Sequence, residues 1–348
     1  MSTPPTTAPV CVTGASGFIA SHIVRALLAR GYRVRGTVRN HGRHEGLKYL
    51  TDLPGAAERL ELVAGDLQDA RGWDVAVTGC EVVMHTASPY VINVKDPQRD
   101  LVDPAVQGTR YVLEACRRAG VRRVVLTSSM AAITDEPDSS QVLTEADWNT
   151  KSTIERNPYY LSKTLAEREA WSIVNEEEAG FELVVINPFM VIGPSLSPGE
   201  NTSTQIFVDL AKGVYQGIFA LTWGFVDVRD VAEAHIRAME TSGASGRYLC
   251  AGERLSMREV VGIMRNAGVG GRLPRLSMDN AVGTSLVRLL SHFQPKGVGS
   301  YLRSHIGRVP AYDNGKIRRD LGIAFRPART SVQDTIDDLR RRGRLPAA

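Results

Sequence analysis

The 348-residue sequence predicts an α/β fold, a doubly wound parallel sheet with a smaller, mostly helical C-terminal lobe. Three observations carry that prediction. Short Val-rich segments alternate with helical stretches, a glycine turn lies at the first strand-to-helix junction, and the alternation breaks near residue 188. The length suits one large domain with an appended lobe.

Taken in order, "VCVTGASG" reads as a buried strand entering a glycine turn, and "FIASHIVRALLARG" as an amphipathic helix ended by Gly31. "YRVRGTVR", "RLELVAGD", "CEVVMHTAS", "RRVVLTSS" and "FELVVINP" follow as strands. Helical stretches such as "LVDPAVQGTRYVLEACRRAG" and "SKTLAEREAWSIVNEEEAG" separate most of them, which implies parallel strands joined by right-handed crossovers. Beyond about residue 188, "GPSLSPGENTST" is a loop, "FVDVRDVAEAHIRAME" a strand then a helix, and "GRYLCAG" another strand. The remainder, from "MREVVGIMRNAG" to "VQDTIDDLRR", is mostly helical. The expected division puts residues 1–187 plus about 225–250 in a nucleotide-binding domain, and about 188–224 plus 251–348 in a substrate-binding lobe.

Composition narrows the function classes. With 43% hydrophobic and 23% charged residues the chain is of ordinary globular type. Its net charge of +4 comes from 42 basic and 38 acidic residues spread along the sequence, which argues against nucleic-acid or membrane partners. The one dense basic run, Arg340 to Arg344, reads as a solvated helix end near the negative end of its dipole. Cys11, Cys80, Cys116 and Cys250 form no C-x-x-C pair and read as buried free thiols. The first basic residue is Arg25 and no apolar run reaches membrane-spanning length, so the expected setting is the cytoplasm. A monomer or homodimer acting on a small molecule is expected.

The glycine turn carries the first chemical signal. "TGASGFIA" places Gly14 and Gly17 between strand and helix, with Ala20 as a third small residue and Ser16, Phe18 and Ile19 lining the helix start. A tight turn, close backbone approach and helix N–H groups facing an anion are what a pyrophosphate needs, so at the first junction of such a series the turn reads as a Rossmann dinucleotide site. An acidic residue ending the second strand would bind the ribose hydroxyls of NAD. This sequence offers Arg39 and Arg43 there, with Lys48 a weaker candidate, and arginines suit the 2′-phosphate of NADP(H). Asp66 and Leu67 end the third strand where adenine would lie, and Thr86, Ala87 and Ser88 end the fourth beside the dinucleotide path.

The second signal is "NPYYLSKTLAE". Asn157 and Pro158 read as an N-cap and first helical residue. Tyr159 then lies one turn before Lys163, on a face continued by Ala166, Ala170 and Ile173. Tyr160 shares its face with Thr164, Glu167, Trp171 and Val174, a mixed surface expected at a helix edge. A phenol has an unperturbed pKa of about 10, and a cation one turn away favours its ionised form, as an acid-base group requires. "VVLTSSMAA" ends the fifth strand with Thr127, Ser128 and Ser129; Ser128 is expected to form the turn and Ser129 to bond a carbonyl oxygen. No Ser-His-Asp order and no H-E-x-x-H spacing occurs, so a hydrolase or metalloenzyme is disfavoured.

With these residues assembled, the sequence resembles the extended short-chain dehydrogenase/reductases, in the branch of dihydroflavonol 4-reductase, cinnamoyl-CoA reductase and the yeast-type aldehyde (methylglyoxal) reductases. The likeness rests on "VTGASGFIASHIV", "GTVR", "VMHTASP", "VVLTSSMAA", "YYLSKTLAE", "VINPFMVIGP" and "FVDVRDVAEAH", and weakens over about 270–310. It implies that Tyr159 is the proton donor, that Lys163 lowers its pKa while holding the nicotinamide ribose, and that Ser129 orients the carbonyl. It further implies that Pro188 flanks the nicotinamide and Arg39 meets the 2′-phosphate. A second basic contact seven residues on in the plant enzymes falls on Gly46, whereas the yeast-type position four residues on falls on Arg43. The substrate would lie between domain and lobe, against Tyr90, Phe189, Tyr215, Trp223 and Phe225, with Asn93 only loosely in register with a polar residue of the flavonoid enzymes. The implied activity is NADPH-dependent reduction of a hydrophobic or aryl aldehyde or ketone. Two rivals are a sugar-nucleotide epimerase or dehydratase of the same fold, and a non-catalytic NADP(H)-sensing regulator, against which Ser129, Tyr159 and Lys163 together argue.

Overall fold

Segments this rich in Val form a sheet when helices cover both faces, because β-branched side chains then pack on either side. The computed structural model describes residues 7–39, 44–89, 94–137, 140–175, 180–199, 201–294 and 296–346. Its principal elements begin with β1 (Val10–Thr13), α1 (Phe18–Ala29), β2 (Val34–Val38), β3 (Leu60–Ala64), β4 (Val82–His85), α2 (Asp103–Arg118), β5 (Arg123–Thr127), α3 (Pro158–Val174) and β6 (Glu182–Pro188). They continue with β7 (Met190–Ile192), α4 (Thr202–Lys212), β8 (Thr222–Asp227), α5 (Val228–Glu240), β9 (Gly246–Cys250) and β10 (Arg254–Ser256). The chain then runs through α6 (Met257–Asn266), α7 (Ala281–Leu290), α8 (Lys296–His305) and α9 (Ala328–Arg341).

Seven strands pair in the order β9-β6-β5-β4-β1-β2-β3, all parallel. This is a Rossmann sheet. Winding proceeds one way from β1 through β2 to β3 and the other way from β4, so a crevice opens beyond the carboxyl ends of β1 and β4. A second sheet, β10-β8-β7, carries the chain from the main sheet into the C-terminal region.

Alternate residues of each strand feed two cores. Val12, Val34, Met84 and Ile186 face α1 and α5 on one side. Cys11, Val83, Val124 and Val185 face α2 and α3 on the other. Phe207, Trp223, Phe225, Met257 and Val332 build a third core in the C-terminal region. All four cysteines are buried and free. No described helix is long and apolar enough to cross a membrane, and no group of metal-ligating side chains assembles among the described residues.

One buried cation fastens the late elements to the early ones. Arg123 opens β5, is 1% exposed, and donates through Nη1 to the carbonyls of Ala238 (2.9 Å), Met239 (3.2 Å) and Thr241 (2.7 Å), and through Nη2 to Ser242 (3.1 Å). These are the open carbonyls at the C-terminus of α5, where a cation also opposes the helix dipole. Its Nε bonds Glu182 at the start of β6 at 2.7 Å. Arg123→Met leaves those carbonyls buried without donors, and is predicted to lower unfolding free energy by about 2–4 kcal/mol, read as an earlier midpoint in urea.

Candidate functional site

The glycine turn closes onto both neighbouring strands. Gly14 has φ +63°, and a Cβ there would stand 3.1 Å from the Cα of Ala87, so turn and β4 end approach as only glycine permits. At Gly36 in β2 a Cβ would fall 2.7 Å from that of Ala15. Ala15 N donates to Thr37 O (2.9 Å) and Gly14 N to Thr37 Oγ1 (3.0 Å), which anchors the turn to β2. The first turn of α1 follows from Gly17 with no side-chain cap and no acidic residue. Its N–H groups are therefore left for an anion, and the positive end of the helix dipole reinforces the preference.

Thr13 joins the turn to β4. Its Oγ1 accepts from Thr86 N (3.1 Å) and Ala87 N (3.0 Å) and meets His85 Nδ1 at 2.8 Å. With both lone pairs taken, the hydroxyl proton goes to Nδ1, and the imidazole carries its own proton on Nε2. Burial first, and Lys163 second, push the His85 pKa down to about 3, so the ring is neutral. Thr86 Oγ1 in turn donates to Thr13 O. The result is a fixed strand end that presents Ser88 to the crevice.

Lys163 reaches across to that serine, with Nζ donating to Ser88 Oγ at 2.9 Å. The ammonium is 5.9 Å from the ring centre of Tyr159, one turn earlier on α3. Burial pulls the lysine pKa from 10.5 down to about 8. Ser129 follows the end of β5 in extended conformation and starts the short turn Met130–Ala132, where Ala131 N donates to its Oγ at 3.1 Å. That bond occupies an acceptor lone pair and leaves the hydroxyl proton to offer to a ligand oxygen. Ser88, Ser129, Tyr159 and Lys163 thus belong to the carboxyl edge of the sheet and the first turns of α3.

Other expected positions fall as follows. Arg39 is exposed at the end of β2, and Arg43, Tyr90 and Asn93 lie outside the described residues. Ser16 is half-buried, its carbonyl accepting from Tyr49 OH at 2.9 Å; Phe18 and Ile19 pack on the first core. Asp66 Oδ1 takes Gln68 N at 3.0 Å in a local turn, and Leu67 packs closely on Gly108 of α2. Pro188 closes β6 beside Cys250, and half-buried Phe189 packs against Tyr312 at 6.0 Å between ring centres. Tyr215 lies edge-on to Phe219 against the third core, its phenol pushed up to about 12 by burial and then by Asp209. Trp223 and Phe225 are inside that core, 2% and 1% exposed, with Trp223 Nε1 donating to Tyr301 OH at 2.9 Å.

The structure corrects three local expectations. α3 begins at Pro158, but Asn157 does not cap it: its backbone is left-handed (φ 51°) and its side chain donates to Asp135 and, at 3.0 Å, to Ser304 Oγ. The face through Tyr160 is not an exposed helix edge, because Thr164 and Glu167 on it are buried and Tyr160 OH meets His305 Nε2 at 3.1 Å. Ser128 does more than turn the chain. Its Oγ donates to Glu167 Oε2 at 2.5 Å. Glu167 was read only as part of a helix edge and Asn187 and Arg247 were given no role, because the partners that bury them lie far along the chain.

The buried lysine sets a pH dependence. A base with a lowered folded-state pKa penalises folding while it is protonated, so the cost is complete below about pH 8. It disappears as pH rises from about 8 to 10.5, where the unfolded chain binds more protons than the folded one. Lys163→Met is predicted to be more stable than the parent by up to about 3 kcal/mol near neutrality, with the advantage vanishing as pH approaches about 10.5 in urea melts.

Comparison with known proteins agrees with this fold. The model of the NAD dependent epimerase/dehydratase family matches residues 10–251. The chain is 40% identical over 339 residues to cinnamoyl-CoA reductase CAD2 of Medicago truncatula, covering 95% of each protein. It is 36% identical over 345 residues to tetraketide alpha-pyrone reductase 1 of Arabidopsis thaliana, covering 97% of this chain and 96% of that one. Among solved structures it is similar to yeast methylglyoxal/isovaleraldehyde reductase Gre2 complexed with NADPH, at TM-score 0.79 and 30% identity over 97% of this chain and 99% of that one.

Proposed function

Because the chain belongs to the NAD dependent epimerase/dehydratase family, within the extended short-chain dehydrogenase/reductases, we propose that it is an NADPH-dependent carbonyl reductase. Its substrate would be an aldehyde or ketone with a hydrophobic or aryl body. The observation that carries the reading is the Lys163 ammonium, buried and bonded across the crevice to Ser88, one turn from Tyr159. A desolvated cation beside a phenol at a sheet switch point is costly to maintain, and proton transfer gives it a use.

The residues fit the cofactor. The Cβ-free cradle at Gly14 and the uncapped start of α1 suit a pyrophosphate, and Arg39 stands where a 2′-phosphate would reach the end of β2. When bound, NADPH supplies the hydride that adds to the carbonyl carbon. Ser129 donates a hydrogen bond to the carbonyl oxygen and fixes its direction. Tyr159 gives that oxygen its proton as negative charge develops there. Lys163 holds positive charge close by, stabilising the phenolate left behind, and Ser88 fixes the direction of its ammonium. The names of the relatives, which include a cinnamoyl-CoA reductase and a methylglyoxal/isovaleraldehyde reductase, support a carbonyl substrate.

NADPH oxidation followed across aryl ketones, β-keto esters, α-dicarbonyls and dihydroflavonols tests the reading. Tyr159→Phe is predicted to lower kcat by about 10²- to 10⁴-fold while leaving NADPH affinity nearly intact, and retained turnover would defeat the mechanism. Tyr160→Phe serves as the control and is predicted to keep most of the activity. Arg39→Ala should weaken NADPH by about 10- to 100-fold and hardly change NADH, because it removes a charge-assisted bond only the 2′-phosphate makes. Equal use of both cofactors by the parent enzyme would contradict the arginine assignment.

A further inference from the structure

Resting on that reading, we propose that Glu167 is a positioning residue, holding the strand ends that carry Ser129 and Pro188 in register with the helix that carries Tyr159 and Lys163. The last backbone bond between β5 and β6 near the site runs from Ser128 N to Ile186 O at 2.8 Å. Past it the two strand ends are linked through side chains. Asn187 Nδ2 donates to Ser129 O at 3.3 Å and to Glu167 Oε2 at 2.8 Å, and Ser128 Oγ donates to the same oxygen at 2.5 Å. One carboxylate oxygen on α3, one turn beyond Lys163, therefore grips the neighbours of both site residues.

The other oxygen is committed elsewhere. Glu167 Oε1 accepts from Arg247 Nε at 2.6 Å and from Trp171 Nε1 at 3.3 Å. Arg247 comes from β9, donates to the carbonyls of Glu145 (3.0 Å) and Asp147 (2.5 Å), and lies 3.9 Å over the Trp148 ring. Glu167 is 1% exposed and Arg247 6%, so the pair is desolvated and its geometry is set by surrounding packing. Asn187 Oδ1 is buried and has no hydrogen-bond partner among the described residues. An amide turned so that one N–H bonds the end of β5 and the other the carboxylate on α3, while its oxygen is unmatched, serves placement above local satisfaction.

The test uses Ser128→Ala, Ser128→Thr, Glu167→Gln and the charge-balanced pair Glu167→Met with Arg247→Met, each assayed as full-length protein. NADPH sites are titrated by fluorescence, and turnover of the best carbonyl substrate from the panel is expressed per titrated site. Positioning predicts that kcat per site falls by about 10- to 100-fold in both Glu167 variants and by several-fold in Ser128→Ala, with NADPH affinity within about twofold of the parent. Ser128→Thr, which keeps the hydroxyl, should recover most of the Ser128→Ala loss. If the Glu167 variants do not fold, the two Ser128 variants decide on the same readout. A kcat per site that stays within about twofold of the parent while only thermal stability drops would make the network merely structural and overturn the inference. A parent protein that binds NADPH yet reduces no carbonyl would overturn both the reductase reading and this one, whereas parent turnover with unaltered variants removes only this one.

Discussion

A parallel ladder satisfies backbone groups only as far as neighbouring strands run together, and beyond that limit side chains must supply the bonds. The crevice of this protein lies at that limit. Thr13 ties the end of β1 to the backbone of β4, Thr37 ties β2 to the glycine turn, and Asn187 with Ser128 ties β5 and β6 to α3. None of these bonds can be replaced by ladder pairing without closing the opening. The geometry of the site is consequently a property of short polar side chains at strand ends, supported from below by a tightly packed sheet.

The same arrangement explains the concentration of uncharged imidazoles and displaced pKa values around it. Burial keeps His85 and His235 neutral at physiological pH, and each ring accepts a hydrogen bond from a threonine hydroxyl, Thr13 and Thr127 respectively. Lys163 is the exception, a buried cation facing the crevice. A fold selected for stability alone would place an aliphatic residue there, so under the proposed mechanism the lysine is where stability would be surrendered to chemistry.

Much of this was legible in the chain. Six quoted Val-bearing segments and "GRYLCAG" are the seven strands of the main sheet, because short apolar runs bounded by turns have few other solutions in an alternating pattern. The closeness of Tyr159 to Lys163 followed from helical periodicity, and the place of the glycine turn from the first strand-to-helix junction. What periodicity gives is a face, not its neighbour. Glu167 was assigned to a helix edge because its face mixes polar and apolar residues, yet a guanidinium eighty residues away, Arg247, makes burial of its charge possible. Likewise the spacing of Asn157 before Pro158 suggested a cap, while contacts with Asp135 and Ser304, remote in sequence, turned its backbone left-handed instead. Long-range polar partners leave no local trace.

The position of β9 in the chain has a consequence for biosynthesis. During synthesis β6 emerges with its Val-rich outer edge unpaired, and its partner, Gly246–Cys250, is made only after β7, α4, β8 and α5. Throughout that interval the nascent domain carries a long apolar edge open to other chains, the circumstance in which strands aggregate or recruit chaperones. Arg123 cannot engage its carbonyl acceptors at 238–242 until the same stretch has arrived. A ribosome stalled before residue 246 would hold a chain whose main sheet has six of its seven strands but no finished border.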